Sequence, residues 1–460
     1  MDRSLRRNIT AQFRAKFPDS RPVCCVVAPG RINLIGEHTD YNGFPVLPIA
    51  IDPAIYAVVA PLHEPVVELH STEPECFGPR RFAVQADVEP YEPGDWGNYV
   101  KAAVQSLVRR RLQEGRDLQG LCGMRCLIAG TIPRSSGVAS SSALVIASAL
   151  AFMAVNAPAG GLELSEEVRR SLAEQMAQAE HYVGTQGGGM DQAACLTARS
   201  GCAVRIDFFP LKARTVAFPG DHVVLAADST VRAGKALDKR LAYNRRVVEC
   251  RIGTELLARR LGARSAERLA DLCAPRGRHS GAELMALLQE ITGGRASLSP
   301  GQAAALLDMS GQEFTERMMR MKNGSLLPAP DDGLKVLPRC RHVFAEAWRV
   351  EEAVCRLEDR RMAELGRLMD ASHRSCALDY EVSVPELDRL TELMRSGGAL
   401  GARLTGAGFG GFAVALIRSD QAPALRERLS REFYEPRGAS ADDNVHAFAP
   451  CGGAAVLPPA

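Results

Sequence analysis

A mixed fold of helices and strands in two or three domains is what this sequence predicts, and three observations predict it. The chain has 460 residues, and at about 150 residues per domain that length calls for more than one core. Runs dense in Val and Ile, bounded by Gly and Pro, alternate with segments that are apolar at helical spacing. The composition, 46% hydrophobic and 24% charged, is that of an ordinary globular protein, with no repeats and no low-complexity tract.

The bulk numbers also exclude several classes. A net charge of +2 gives no electrostatic reason for a nucleic acid or an acidic partner. The short basic runs Arg109–Arg111 and Arg360–Arg361 read as solvated helix faces. The 13 cysteines are odd in number and scattered, with no paired CxxC spacing, so neither a zinc site nor a disulfide framework is expected. Reduced thiols in a cytoplasmic protein are the expectation. No stretch approaches the roughly 18 unbroken apolar residues of a membrane span. Charges at Asp2, Arg3, Arg6, Arg7, Arg14 and Lys16 argue against a secretory signal.

The elements follow in order. Residues 3–17 read as a short amphipathic helix. Pro22 precedes a strand, "VCCVVA" (23–28), which runs into the polar stretch "GRINLIGEHTDYNG" (30–43). "VLPIAIDPAIYAVVAPL" (46–62) reads as strand punctuated by prolines, 95–112 as helix from Gly97 onward, and "MRCLIAGTIP" (124–133) as strand. The polar loop "RSSGVASSS" comes next, and a long apolar helix, "SSALVIASALAFMAV", follows at once. Ser165 is the N-cap of another helix, with Glu166 and Glu167 in the first turn where the dipole favours anions. Val168, Leu172, Met176 and Ala179 share one face of it, and Gly184 closes it. Strands follow at "CAVRIDFF" and "HVVLAADS". Residues 240–330 read as mostly helical with loops at "ASLSPG" and "KNGSLLPAPDDG", and 340–395 as helical. "RLTGAGFGGFAVALI" (403–417) reads as strand, glycine loop, strand, and "CGGAAVLPPA" as a last strand and tail. No linker marks a boundary; the strands near 203–229 put the end of the first domain close to residue 215.

Four places carry chemistry. "GRINLIGEHTDYNG" gathers an arginine, two carboxylates and a histidine among residues that few helices or strands hold in their middle, so it is a turn or a site. "GVASSS" lies between a strand and an apolar helix. Its small residues let backbone N–H groups approach an anion, and the helix N-terminus adds unpaired donors and a positive dipole end. The hydroxyls of Ser140, Ser141 and Ser142 suit phosphate or Mg²⁺; a plain serine N-cap is the alternative. The Walker pattern G-x-x-x-x-G-K-[ST] is absent. "GAGFGG" (406–411) is close to GxGxxG, but the "FAVALI" after it reads as a strand, which fits a dinucleotide fold poorly. In "GTQGGGMDQ", Asp191 follows Gly187–Gly189 and either accepts from a substrate hydroxyl or caps a turn. Glu180 sits at a helix end where the dipole disfavours a carboxylate. A cation would offset that, so Glu180 is either an Mg²⁺ ligand or a surface glutamate.

Taken together, these stretches resemble the galactokinases of the GHMP kinase superfamily. "GRINLIGEHTDYN" is similar to the galactokinase signature, "PRSSGVASSSAL" to the superfamily phosphate loop, and "LTGAGFGGFAVAL" to its third motif. "AEHYVGTQGGGMDQ", "YNRRVVECR" and "SHRSCALDYEVSVPELD" match as well, and the likeness is weakest at 255–335. Val138 and Ala139 stand where Leu and Ser are usual, and Phe412 where Cys is common. The resemblance implies a two-lobed α+β GHMP kinase fold: an N-terminal ribosomal-protein-S5-domain-2-like lobe (1–215) and a C-terminal ferredoxin-like α+β lobe (216–460), with a variable helical segment near 255–335.

The activity it implies is ATP-dependent phosphorylation of the anomeric hydroxyl of D-galactose. The resemblance makes Asp191 the base and puts Arg31 beside both Asp191 and the γ-phosphate, where it offsets transition-state charge. Glu37, His38 and Asp40 would bind sugar hydroxyls, with Glu37 or Asp40 accepting from two vicinal ones. Gly188 and Tyr243 would complete the sugar pocket. Gly137, Ser140, Ser141, Ser142, Gly406 and Gly408 would hold ATP, and Ser141 with Glu180 would hold Mg²⁺. Tyr243 leans to galactose. A kinase for N-acetylgalactosamine or another sugar, and a non-catalytic galactose and ATP sensor, are the alternatives. Small molecules are the expected partners, and a monomer is favoured.

Overall fold

In the computed structural model, which describes residues 3–133, 137–158, 161–184, 187–231, 236–321 and 324–460 (backbone alone at 236–239), the sequence pattern becomes twelve strands and a larger set of helices. Arg134–Ser136, Thr185–Gln186 and Lys322–Asn323, which belong to three of the predicted loops, lie outside the described residues. The strands are β1 (Cys24–Asn33), β2 (Pro48–Leu62), β3 (Val66–Ser71), β4 (Arg80–Ala83), β5 (Gly123–Gly130), β6 (Cys202–Asp207), β7 (Lys212–Ala217), β8 (His222–Asp228), β9 (Gly401–Leu404), β10 (Phe412–Arg418), β11 (Val445–Phe448) and β12 (Ala455–Leu457).

The first sheet has the order β12-β1-β2-β5-β3-β4, antiparallel except where β3 lies parallel to β5. β1 is buried along its whole length, as a strand apolar on both faces must be. Proline is tolerated in this central strand for a local reason. β12 pairs only with Cys25–Val27, so Pro29 lies beyond that ladder, and the register with β2 shifts just after it. "GRIN" is therefore not a turn; it is the end of β1.

The apolar helix Ser140–Val155 packs against β1 and β2, with Val145, Ile146, Ala149 and Leu150 out of contact with solvent. A helix that is hydrophobic all round needs such cover. Helix Arg3–Lys16 covers the other face of the sheet through Ile9 and Phe13. The second sheet, β11-β8-β10-β9, is fully antiparallel, and helices Met362–Leu378 and Pro385–Ser396 pack on β9. The last strand, β12, returns to the first sheet, so that sheet takes strands from both ends of the chain.

Three expectations need correction. Strand β7, "KARTVA", pairs with β6 in a separate two-stranded sheet; its polar, mostly exposed residues give no apolar signal. The "ASLSPG" loop already contains a helix start. Ser299 accepts from the Gln302 N–H and Gln302 bonds back, a capping box with Pro300 at the first helical position. The helix opened by Ser165 ends as α-helix at Ala179 and tightens into a 3-10 turn over Glu180–Val183 before Gly184.

Candidate active site

Three glycine-containing stretches far apart in sequence meet at one point. An added Cβ at Gly30 would lie 2.8 Å from the Val138 carbonyl oxygen, and one at Gly406 would lie 2.6 Å from that of Gly137. Only glycine permits such an approach. Asn33 N donates to Thr405 Oγ1 at 3.1 Å, which ties the end of β1 to the loop after β9. A cavity of about 300 Å³ opens at this junction.

Arg31 points from the end of β1 into the cavity. Its Nε donates to Asp191 Oδ1 at 2.8 Å and its Nη2 reaches the same oxygen at 2.7 Å. Its Nη1 donates to the Gly137 carbonyl, and its backbone N–H to Val138 O at 3.2 Å. The arginine side chain is 5% exposed and the aspartate 25%, so the pair is shielded on the protein side and open toward the cavity. Asp191 lies in the first turn of helix Met190–Thr197, behind the left-handed Gly189.

Glu37, His38 and Asp40 line the cavity on the loop after β1. Glu37 Oε2 accepts from Asn33 Nδ2 at 2.7 Å; Oε1 accepts from the Gly406 N–H at 2.7 Å and from Arg403 Nη1 at 3.3 Å. Burial raises its carboxyl pKa, against the pull of Arg403 and Arg31. A carboxylate offers about four acceptor positions. With Oε1 occupied twice and Oε2 once, Glu37 keeps one acceptor position, at Oε2.

His38 adopts a left-handed φ of 64°, and its Nδ1 lies within hydrogen-bond distance, 3.0 Å, of the Tyr41 hydroxyl. Burial, with His342 and Arg246 nearby, lowers its pKa well below the ordinary histidine range, so the ring is neutral. Tyr243, on helix Ala236–Leu261, faces His38 with ring centroids 5.6 Å apart and lines the same wall.

Asp40 Oδ2 accepts from the backbone N–H groups of Gly188 (3.1 Å) and Met190 (3.4 Å). Burial pushes its pKa up to about 6, helped by the charge of Asp191 and opposed by the Tyr41 N–H. The folded value exceeds the unfolded one. The stability Asp40 contributes is therefore full below about pH 4 and lost as pH rises through the folded value. Gly188 has no room for a side chain: a Cβ there would lie 2.3 Å from Tyr41 N and 2.6 Å from Asp40 Cγ. Gly188→Ala is accordingly expected to displace Asp40 and to destabilise the fold by about 1–3 kcal/mol; thermal melts check this.

The serine loop opens helix Ser140–Val155 without a side-chain cap; Ala139, with φ 64°, holds the N-cap position. The plain N-cap alternative is therefore not realised. Ser142 Oγ donates to the Glu180 carboxylate at 2.9 Å, and Gln192 Nε2 donates to the same group. Burial pushes Glu180 up to about 7, with Asp191 adding to the rise and Ser142, Ser141 and Gln192 opposing it. Glu180, Asp191, Ser141 and Ser142 all line the cavity. This is a set of hard oxygen donors with two neighbouring carboxylates, which fits Mg²⁺. Gln192, Arg403, Asn33 and Tyr41 were not singled out from sequence, although Asn33, Tyr41 and Gln192 stand inside the quoted motifs and Arg403 opens the quoted stretch 403–417.

Of the remaining glycines, Gly137 and Gly406 abut one another, and Gly406 lines the cavity. Gly408 packs away from it: a Cβ there would lie 2.3 Å from the Val382 carbonyl oxygen.

The chain is similar to known proteins over most of its length. Residues 11–61 match the galactokinase galactose-binding signature, 98–199 the GHMP kinases N terminal domain and 350–435 the GHMP kinases C terminal domain. The chain is 31% identical to a Dictyostelium discoideum galactokinase over 92% of its own length and 86% of the relative's. It is 33% identical to one from Chloroflexus aurantiacus, covering 86% and 85%. The crystal structure of Lactococcus lactis galactokinase complexed with galactose superposes with a TM-score of 0.72 at 26% identity, covering 97% of this chain and 98% of that one. The two-lobed GHMP fold expected from the sequence is thus the fold observed, and the chain belongs to the galactokinase family.

Proposed function

We propose that this chain transfers the γ-phosphoryl group of ATP to the anomeric hydroxyl of D-galactose, releasing galactose 1-phosphate and ADP. The observation that carries the reading is the Arg31–Asp191 pair, open to a cavity whose wall holds Glu37, His38, Asp40 and Tyr243. In the proposed reaction the anomeric O–H gives its proton to Asp191, its oxygen bonds to the γ-phosphorus, and the bond from that phosphorus to the β-phosphate oxygen breaks. Such transfers need positioning and charge neutralisation more than covalent chemistry, and Arg31 supplies both. Glu37 and Asp40 accept sugar hydroxyls, which penalises an epimer by leaving buried acceptors unpaired. Gly137, Ser140–Ser142 and the Gly406 loop bound the phosphate side. Gly408 supports that loop from behind. We assign the lobes to 1–215 and 216–460, the second sending β12 back to the first sheet.

Glu180, with Ser141 or Ser142, would hold Mg²⁺ together with the nucleotide phosphates. Bound there, the cation neutralises phosphate charge. A proton competes with it for Glu180, whose pKa is near 7. The Mg²⁺ concentration for half-maximal rate is expected to rise about tenfold from about pH 8 to pH 6, and Glu180→Gln should abolish that dependence. An Mg²⁺ requirement that does not change with pH would remove Glu180 from the role. All thirteen cysteines are free, which supports a reducing, cytoplasmic location; among the described residues no helix is long and apolar enough to cross a membrane. Galactose-dependent ADP release, followed in a coupled assay, tests the reading as a whole.

A further inference from the structure

Glu37 is a cavity carboxylate whose charge is met from the other sheet. Arg403, on β9, is fully buried and does not line the cavity. Besides Glu37 Oε1, its Nη1 reaches Asn33 O at 3.4 Å, so it spans the start of the loop and its sugar-facing residue. Behind it stands Glu346, on helix Val336–Glu358, 3.8 Å from Arg403 Nη2 and fully buried. Glu346 also accepts from the Gly36 N–H at 2.9 Å and from Arg349 Nε at 2.6 Å. Burial opposes its ionisation, but Arg349 and Arg403 overcome this and bring its pKa to about 2. On the same helix His342 Nε2 lies 3.0 Å from the Glu37 carbonyl. The loop carrying Glu37, His38 and Asp40 is thus registered by groups that never meet the ligand.

A buried guanidinium is held only where carboxylates and carbonyls answer it, and a lone Glu37 would have been better served by neutral donors. What the guanidinium adds is direction. It occupies Oε1 together with the Gly406 N–H, while Oε2, which accepts from Asn33 Nδ2, keeps one further acceptor position. We propose that Arg403 is the positioning residue for Glu37, fixing Oε2 as the single acceptor offered to the sugar. The proposal rests on the galactose-phosphorylating reading above.

The charged and titratable groups facing Glu37 define the expected pH response. They are Arg31 on β1, Asp40 on its own loop, Arg403 on β9, His342 and Glu346 on helix Val336–Glu358, Cys376 on helix Met362–Leu378 and Tyr243 on helix Ala236–Leu261. Burial already raises Glu37, and Arg403 is the leading group opposing it. Without Arg403 the carboxyl pKa rises further, and the acid limb of kcat/KM for galactose moves toward neutral pH.

The test compares wild type, Arg403→Met, Arg403→Lys and Glu37→Gln, each first checked for folding by thermal melting with and without ATP. Arg403→Met is expected to raise KM for galactose about 10–100-fold, the loss of one buried charge-assisted hydrogen bond, with KM for ATP unchanged and the acid limb shifted upward. Arg403→Lys should keep the limb near its wild-type position yet still raise KM for galactose, because a point charge cannot span Glu37, Asn33 and Glu346 together. In the Glu37→Gln background, Arg403→Met should no longer move the limb. If Arg403→Met does not fold, the lysine variant decides through the two KM values. An unchanged KM for galactose, an equal rise in both KM values, or a limb that Arg403→Met still moves in the Glu37→Gln background overturns the proposal. Failure of wild type to consume galactose is a separate result and overturns the substrate reading instead.

Discussion

Replacing Asp191 with alanine is expected to lower kcat for galactose phosphorylation by about 10²–10⁴-fold, the usual worth of a positioned general base, while ATP still binds. Asp191 opens on the cavity, and the Arg31 guanidinium holds one of its oxygens through two nitrogens. In the proposed reaction Oδ2, which Arg31 does not hold, takes the proton. Nucleotide binding is expected to survive because the serine loop and the Gly406 loop are positioned by backbone packing that does not use Asp191. Single-turnover kinetics with a nucleotide titration check the prediction; near-normal turnover would remove Asp191 from the base role.

The second large effect is at Arg31. Arg31→Met is expected to cost about 10³-fold or more in kcat, in the range that arginines stabilising transferring phosphoryl groups supply. Three of its contacts converge from one rigid strand end: Asp191, the Gly137 carbonyl and, through its own backbone, Val138. In the proposed reaction, loss of the side chain removes a transition-state cation, and it also frees Asp191. Arg31→Lys restores charge but not the two-nitrogen grip, so its kcat should fall between methionine variant and wild type. Groups that act as a unit are strongly non-additive. The double variant Arg31→Met, Asp191→Ala should therefore be little slower than the worse of the two single variants, and fully additive losses would show that the residues act separately.

Much of this was legible in the sequence because it is local. β1, β2, β5, β8 and β10 are apolar runs, and helix Ser140–Val155 announces itself by its unbroken apolar character. The Ser165 cap reads directly from residue type and is seen as a 3.3 Å bond from the Val168 N–H. What was hidden depends on partners far along the chain. Arg403 meets Glu37 across 366 positions, and no spacing rule points to it. Among three adjacent serines the sequence offers no way to choose; the helix start at Ser140 rotates Ser142 onto Glu180. Both serines line the cavity, so the single choice of Ser141 from the motif widens to the pair. The family likeness pointed to candidate site residues, and the fold explains why Gly188 and Gly408 are glycines: each lies against backbone, of Tyr41 and of Val382, with no space for a Cβ.

The central claim is that the cavity formed by Arg31, Glu37, His38, Asp40, Asp191 and Tyr243 is shaped for galactose. The most direct test is a panel of D-galactose, its C2 and C4 epimers and N-acetylgalactosamine, each with ATP and Mg²⁺, measuring kcat/KM by ADP release and the position of the new phosphate by NMR. D-galactose is expected to be consumed fastest and to carry the phosphate on its anomeric oxygen. Faster turnover of N-acetylgalactosamine, or a phosphate on any other oxygen, would contradict it.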